Sequence, residues 1–168
     1  DVYKRQRLGS ILDGVFHKGL GSVAERNFRP HVSCVIPTPD DKYLCAVDNG
    51  VDQVKIYKVT PETGKLHLYS ILRLPLESAP RLMVFSHDGR YAYINCEMAN
   101  KIFVYRYDGS GREPNFEKLQ EVQSMYDDKD VSSASCALKI SPSGKYLYCS
   151  SAGENSVGIF RIDPEKGT

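Results

Sequence analysis

Asp40–Val59 (DDKYLCAVDNGVDQVKIYKV), Asp88–Tyr107 (DGRYAYINCEMANKIFVYRY) and Ser143–Ile162 (SGKYLYCSSAGENSVGIFRI) are three copies of one pattern. Each runs from a turn through Lys or Arg-Tyr into a short alternating strand, a polar loop and an apolar strand. Lys42, Arg90 and Lys145 align, as do Val54, Ile102 and Val157, at spacings of 48 and then 55 residues. Strand-and-turn repeats of that length predict β-propeller blades.

Each copy predicts a four-stranded antiparallel blade. The first has strands near 32–37, 43–49, 53–59 and 65–74, with turns at Asp40-Asp41 and Pro61-Glu62-Thr63-Gly64. Tyr43, Cys45 and Val47 point one way and Leu44, Ala46 and Asp48 the other. The second blade is predicted at 81–86, 91–97, 101–107 and 116–125, with the polar connection Asp108–Asn115 between its last two strands. The third is predicted at 136–141, 146–151 and 156–162. Ile11–His17 reads as an outer strand of a preceding blade, and Tyr126–Ser135 as a solvated loop. The predicted fold is all-β: a partial arc of about three and a half blades within residues 7–168.

Asp1–Gln6 matches no blade position and is treated as an assembly scar outside the fold. The chain stops where a fourth strand is expected after Pro164-Glu165-Lys166-Gly167. Closed propellers typically need 4–8 blades, so a fragment of a longer protein that folds poorly alone is expected, with the remaining blades as its partner.

Of 168 residues, 41% are hydrophobic and 26% charged, with a net charge of +1. Such a balance supplies a core and gives no field favouring nucleic acid or anionic membranes. No apolar run reaches membrane-spanning length. Five cysteines without a CxxC argue for reduced, mostly buried thiols and a cytoplasmic location. The common catalytic motifs GxSxG, Walker and HExxH are absent, and no Cys/His spacing predicts a metal site.

Residues in the same blade slot should form a ring around the central channel. Asn49, Glu97 and Ala152 share one slot; Asp48, Cys96 and Ser151 share the one before; Ser33, Arg81 and Cys136 share a slot in the innermost strand. His31 lies two residues before Ser33. Against small or neutral slot-mates His31, Arg81 and Glu97 stand out, followed by Asp48. A guanidinium offers a donor fork for a carboxylate, phosphate or oxyanion, and His or Glu can act as base on water. The alternative is structural: an inter-blade ion pair of Arg81 with Glu97, and His31 bonded to backbone.

With these residues the chain resembles the seven-bladed propeller lactonases, the 6-phosphogluconolactonase-like family related to carboxy-cis,cis-muconate lactonizing enzymes. Arg29-Pro30-His31-Val32-Ser33, Ala46-Val47-Asp48-Asn49-Gly50, Ala79-Pro80-Arg81 and Cys96-Glu97 carry the resemblance, with the Gly89-Arg90-Tyr91 and Ser141–Tyr148 turns. It spans about residues 10–168. The resemblance implies a cofactor-independent site at the channel mouth that hydrolyses a sugar-acid lactone, most simply 6-phosphogluconolactone in pentose phosphate metabolism. It implies catalytic roles for His31, Arg81 and Glu97, and substrate binding by Arg81, Asp48 and Asn49. The family often carries His, His and Arg where Ser33, Leu82 and Ala152 stand here, and a Glu or His near Ala137. Two alternatives therefore remain: a non-catalytic binding platform, and lyase-type muconate chemistry.

Overall fold

A computed structural model describes residues 9–21, 28–126 and 133–168. Asp1–Gln6, and parts of the loops before Pro30 and after Tyr126, lie outside the described residues. Eleven strands form three separate antiparallel sheets among the described residues. The first blade contains β1 (Val32–Pro37), β2 (Leu44–Asp48), β3 (Gln53–Val59) and β4 (Leu66–Arg73) in sequential order. The second contains β5 (Pro80–Phe85), β6 (Tyr91–Cys96), β7 (Lys101–Asp108) and β8 (Asn115–Gln123). The third has β9 (Ala134–Ile140), β10 (Tyr146–Ala152) and β11 (Ser156–Arg161), with β11 at the edge.

Among the described residues the partial arc contains two four-stranded blades and one three-stranded blade. Ile11–His17, expected as an outer strand of a preceding blade, belongs to no strand. This segment is an extended strap. The Asp13 carboxylate accepts the Leu66 amide at 2.8 Å and the Lys18 carbonyl accepts Lys55 Nζ at 3.3 Å. A short apolar run forms a strand only when a ladder partner is available.

Period-two alternation builds the core. On β6, Ala92, Ile94 and Cys96 pack toward the first blade, against Tyr43, Cys45, Val47, Val54 and Ile56. Tyr91 and Tyr93 turn the other way, packing with Leu138, Leu147, Cys149 and Ile162. On β7, Phe103 and Tyr105 join the first cluster, and Ile102 and Val104 the second. A middle blade is covered on both faces, so its strands are apolar on both faces. Fully buried Met83, Ile94 and Phe103 each contribute about 1.5–3 kcal/mol.

The β1–β2, β5–β6 and β9–β10 turns repeat one device. Thr38, Ser86 and Ser141 hydroxyls accept the Tyr43, Tyr91 and Tyr146 amides at 3.1, 2.9 and 3.1 Å. The turn needs a left-handed residue, supplied by Asp41 (φ 57°), Gly89 (φ 75°) and Gly144 (φ 73°).

Candidate functional site

Strand register bears out the slot alignment. Asp48 faces Val32, Cys96 faces Pro80 and Ser151 faces Ser135. The next residue of each innermost strand, namely Ser33, Arg81 or Cys136, falls in a β-bulge. A bulge leaves one residue unpaired and re-aims its side chain. Only in the second blade is that residue charged.

Arg81 and Glu97 meet in an ion pair of 2.6 Å. The pair lies within one blade, between its innermost strand and the end of β6, and not between blades. Asn49 reaches across from the first blade, its Nδ2 lying 3.3 Å from the same Glu97 oxygen and 3.4 Å from the Ala79 carbonyl. Glu97 is mostly buried, with its side chain 17% exposed, whereas Arg81 is 42% exposed. Among the described residues one guanidinium nitrogen is engaged by Glu97, and the half-exposed Arg81 side chain lines the cleft. The Ser33 hydroxyl donates to the Arg81 carbonyl at 2.7 Å, so it fixes Arg81 from the backbone side.

The Arg81 bulge follows a strained connection. Glu77 (φ 63°) and Ala79 (φ 51°) are both left-handed without being glycine. The buried Asp52 carboxylate holds them, accepting the Glu77 amide at 2.9 Å, the Ser78 hydroxyl at 3.2 Å and the Ala79 amide at 2.8 Å. Such strain persists only where surrounding contacts over-determine it.

His31 is exposed, and its ring has no hydrogen-bond partner among the described residues. Its backbone is fixed: the amide donates to Asp48 Oδ1 at 2.8 Å, and the carbonyl accepts the Asn49 amide at 2.9 Å. Asp48 itself is wholly buried. Its carboxylate also accepts the Gly50 amide at 3.1 Å and meets His17 Nδ1 at 2.5 Å. Asp48, expected in the substrate-binding set, lies buried beneath the cleft with its oxygens facing protein donors.

His31, Asn49, Arg81 and Glu97 line one cleft of about 670 Å³ with Phe28, Arg29 and Pro30. Three predicted catalytic side chains and one predicted binding residue thus converge. Arg29 brings a second guanidinium, resting 5.3 Å from the Phe28 ring centre. The sequence reading missed Arg29 as a site residue, although it adjoins the Pro-His pair. It also missed His17, which sits outside the repeat. Among the described residues the third blade contributes no lining residue: Cys136 and Ala152 fill the slots of Arg81 and Glu97. Two cations beside an imidazole and a carboxylate suit an anionic substrate with a polarised carbonyl. No group of three or more His, Cys, Asp or Glu among the described residues is placed to hold a metal ion.

The family description "Lactonase, 7-bladed beta-propeller" matches residues 1–168. The chain belongs to this lactonase family. An uncharacterized Staphylococcus epidermidis protein is 36% identical over 165 residues, covering 96% of this chain and 46% of the relative. The Bacillus subtilis 6-phosphogluconolactonase is 28% identical over 169 residues, covering 99% of this chain and 47% of the relative. Among solved structures, a Pseudomonas aeruginosa periplasmic gluconolactonase superposes with a TM-score of 0.81 at 29% identity, covering 90% of this chain and 43% of that one. The chain spans about half the length of the curated relatives it matches. No helix among the described residues is long and apolar enough to cross a membrane.

Proposed function

We propose that the cleft hydrolyses an anionic sugar-acid lactone, with 6-phosphogluconolactone as the first substrate to test. The observation that carries this reading is the convergence of Arg29, His31, Asn49, Arg81 and Glu97 on one cleft between the first two blades. Arg29 and the open part of the Arg81 fork bind the phosphate or carboxylate and the carbonyl oxygen. Glu97 and Asn49 hold Arg81 in place. His31, the accessible imidazole, takes a proton from water as its oxygen attacks the lactone carbonyl carbon. The ring C–O bond then breaks, and the proton passes to the departing alkoxide, giving the open hydroxy acid. No cofactor enters this balance. A cytoplasmic location fits five free thiols, three of them buried. Further blades supplied by a longer chain would complete the channel.

In the full-length protein, lactone loss is followed against the spontaneous rate. Arg81→Ala or His31→Ala is expected to lower kcat/KM by about 10²–10³-fold, the loss typical of a single transition-state donor. Unchanged turnover in both variants would remove the assignment.

A further inference from the structure

The strap contains one anomaly. Its apolar residues Ile11, Leu12, Phe16 and Leu20 are 76–91% exposed, whereas the His17 side chain is only 3% exposed. The imidazole lies on Tyr57 of β3, ring centres 6.0 Å apart and 27° from parallel. Its Nδ1 meets Asp48 Oδ2, while Asp48 Oδ1 receives the amides of His31 and Gly50. One carboxylate therefore joins the strap to the two backbone segments flanking the cleft. The Asn49 amide closes the frame on the His31 carbonyl, and the Asn49 side chain continues to Glu97 and Arg81.

This arrangement exceeds what anchoring the strap needs. Asp13 and Lys18 already tie the strap to β4 and β3 through backbone contacts. The slot-mates of Asp48 are Cys96 and Ser151, so a carboxylate stands in this slot only in the blade that carries His31. A buried carboxylate with an unmatched oxygen would be costly and free to rotate. The imidazole supplies the missing donor and fixes which oxygen faces the amides.

We infer that His17 is a positioning residue: through Asp48 it sets the backbone at His31 and Gly50, and so the direction of the His31 imidazole. The consequence for turnover rests on the lactonase reading above; the consequence for backbone order does not.

The test compares His17→Asn and His17→Gln with the unsubstituted full-length protein. Asn places its amide nitrogen where Nδ1 stands, whereas the longer Gln places it near Nε2. Site-resolved amide exchange is measured at His31 and Gly50, with Ile94 and Val104 as internal references. In His17→Gln, His31 and Gly50 are expected to exchange about tenfold faster, the equivalent of one lost hydrogen bond to a charged group, with the references unchanged. In His17→Asn protection returns. Lactone kcat is expected to follow the same order at nearly constant KM. Equal exchange at His31 and Gly50 in all three proteins, or equal loss in both variants, would overturn the inference. Absence of lactone turnover in the unsubstituted protein would sink the lactonase reading alone, because the exchange comparison still decides the role of His17.

Discussion

Replacing Asp52 tests how the fold holds the arginine-bearing bulge. Asp52 is 2% exposed and sits in the β2–β3 turn of the first blade. Its carboxylate receives three donors from Glu77, Ser78 and Ala79, just ahead of Arg81. In Asp52→Ala the buried Ser78 hydroxyl and Ala79 amide lose their acceptor, at about 1–3 kcal/mol each. Alanine at φ 53° adds about 1 kcal/mol, since left-handed backbone disfavours a Cβ without a local polar group. Glu77 is exposed, so its amide can turn to water. The expected loss is about 3–7 kcal/mol. Asp52→Asn keeps one carbonyl acceptor and tolerates the left-handed conformation, so it should lose about 1–2 kcal/mol. Urea midpoints of the full-length protein, followed by tyrosine fluorescence and circular dichroism, give both values. Ala79→Gly removes the strain at φ 51°, so Asp52→Ala should be milder in that background by about 1 kcal/mol. A difference below 0.5 kcal/mol between the Asp52→Ala and Asp52→Asn losses, on the order of measurement error, would refute the carboxylate clamp.

Three further outcomes are expected. Gly50→Ala would place a Cβ 1.7 Å from the Arg29 carbonyl oxygen and 3.0 Å from the His31 amide nitrogen; Arg29–His31 must move, and anionic-lactone KM should rise at least about tenfold, whereas Gly14→Ala, with nothing within 4 Å, should be neutral. Burial pulls the Asp40 carboxyl up, but Thr38 and Tyr107 hydroxyls, the Lys42 amide and the Lys42 charge outweigh it and hold the group below its ordinary 3.8. Its stabilising contribution is therefore complete above that value and lost as pH falls through the depressed one, and Asp40→Asn should flatten the acid-unfolding curve below about pH 4. Burial pushes the Cys45 thiol up to about 12 and raises Cys96 and Cys149 as well; a disulfide reagent at pH 8 should label half-buried Cys34 and Cys136 first, and labelling of Cys45 at the same rate would contradict the packing.

The repeat determines much of the architecture. Tyr43, Cys45 and Val47 share a face because side chains alternate along a strand, and the structure buries that face against the second blade. Equivalent slots fall at equivalent registers because each blade repeats the same turns, so slot position together with charge against the slot-mates singled out His31, Arg81, Glu97 and Asp48. One apolar run also misled. Ile11–His17 has the pattern of a strand, yet pattern carries no information about whether a ladder partner exists.

What the linear chain determined was therefore periodic: the blades, their faces and the ring of slots. Tertiary structure alone decided the rest. Asp48 became a buried support because His17, 31 residues away and outside the repeat, folds back onto it. Arg81 projects because a bulge breaks the register, and Asp52 restrains the connection ahead of it across 25 to 27 residues. These contacts depend on how one sheet stacks on the next and on where a non-repeating strap crosses them. Local propensity governs neighbours in sequence, whereas a hydrogen bond between distant groups exists only once packing has set their separation and direction.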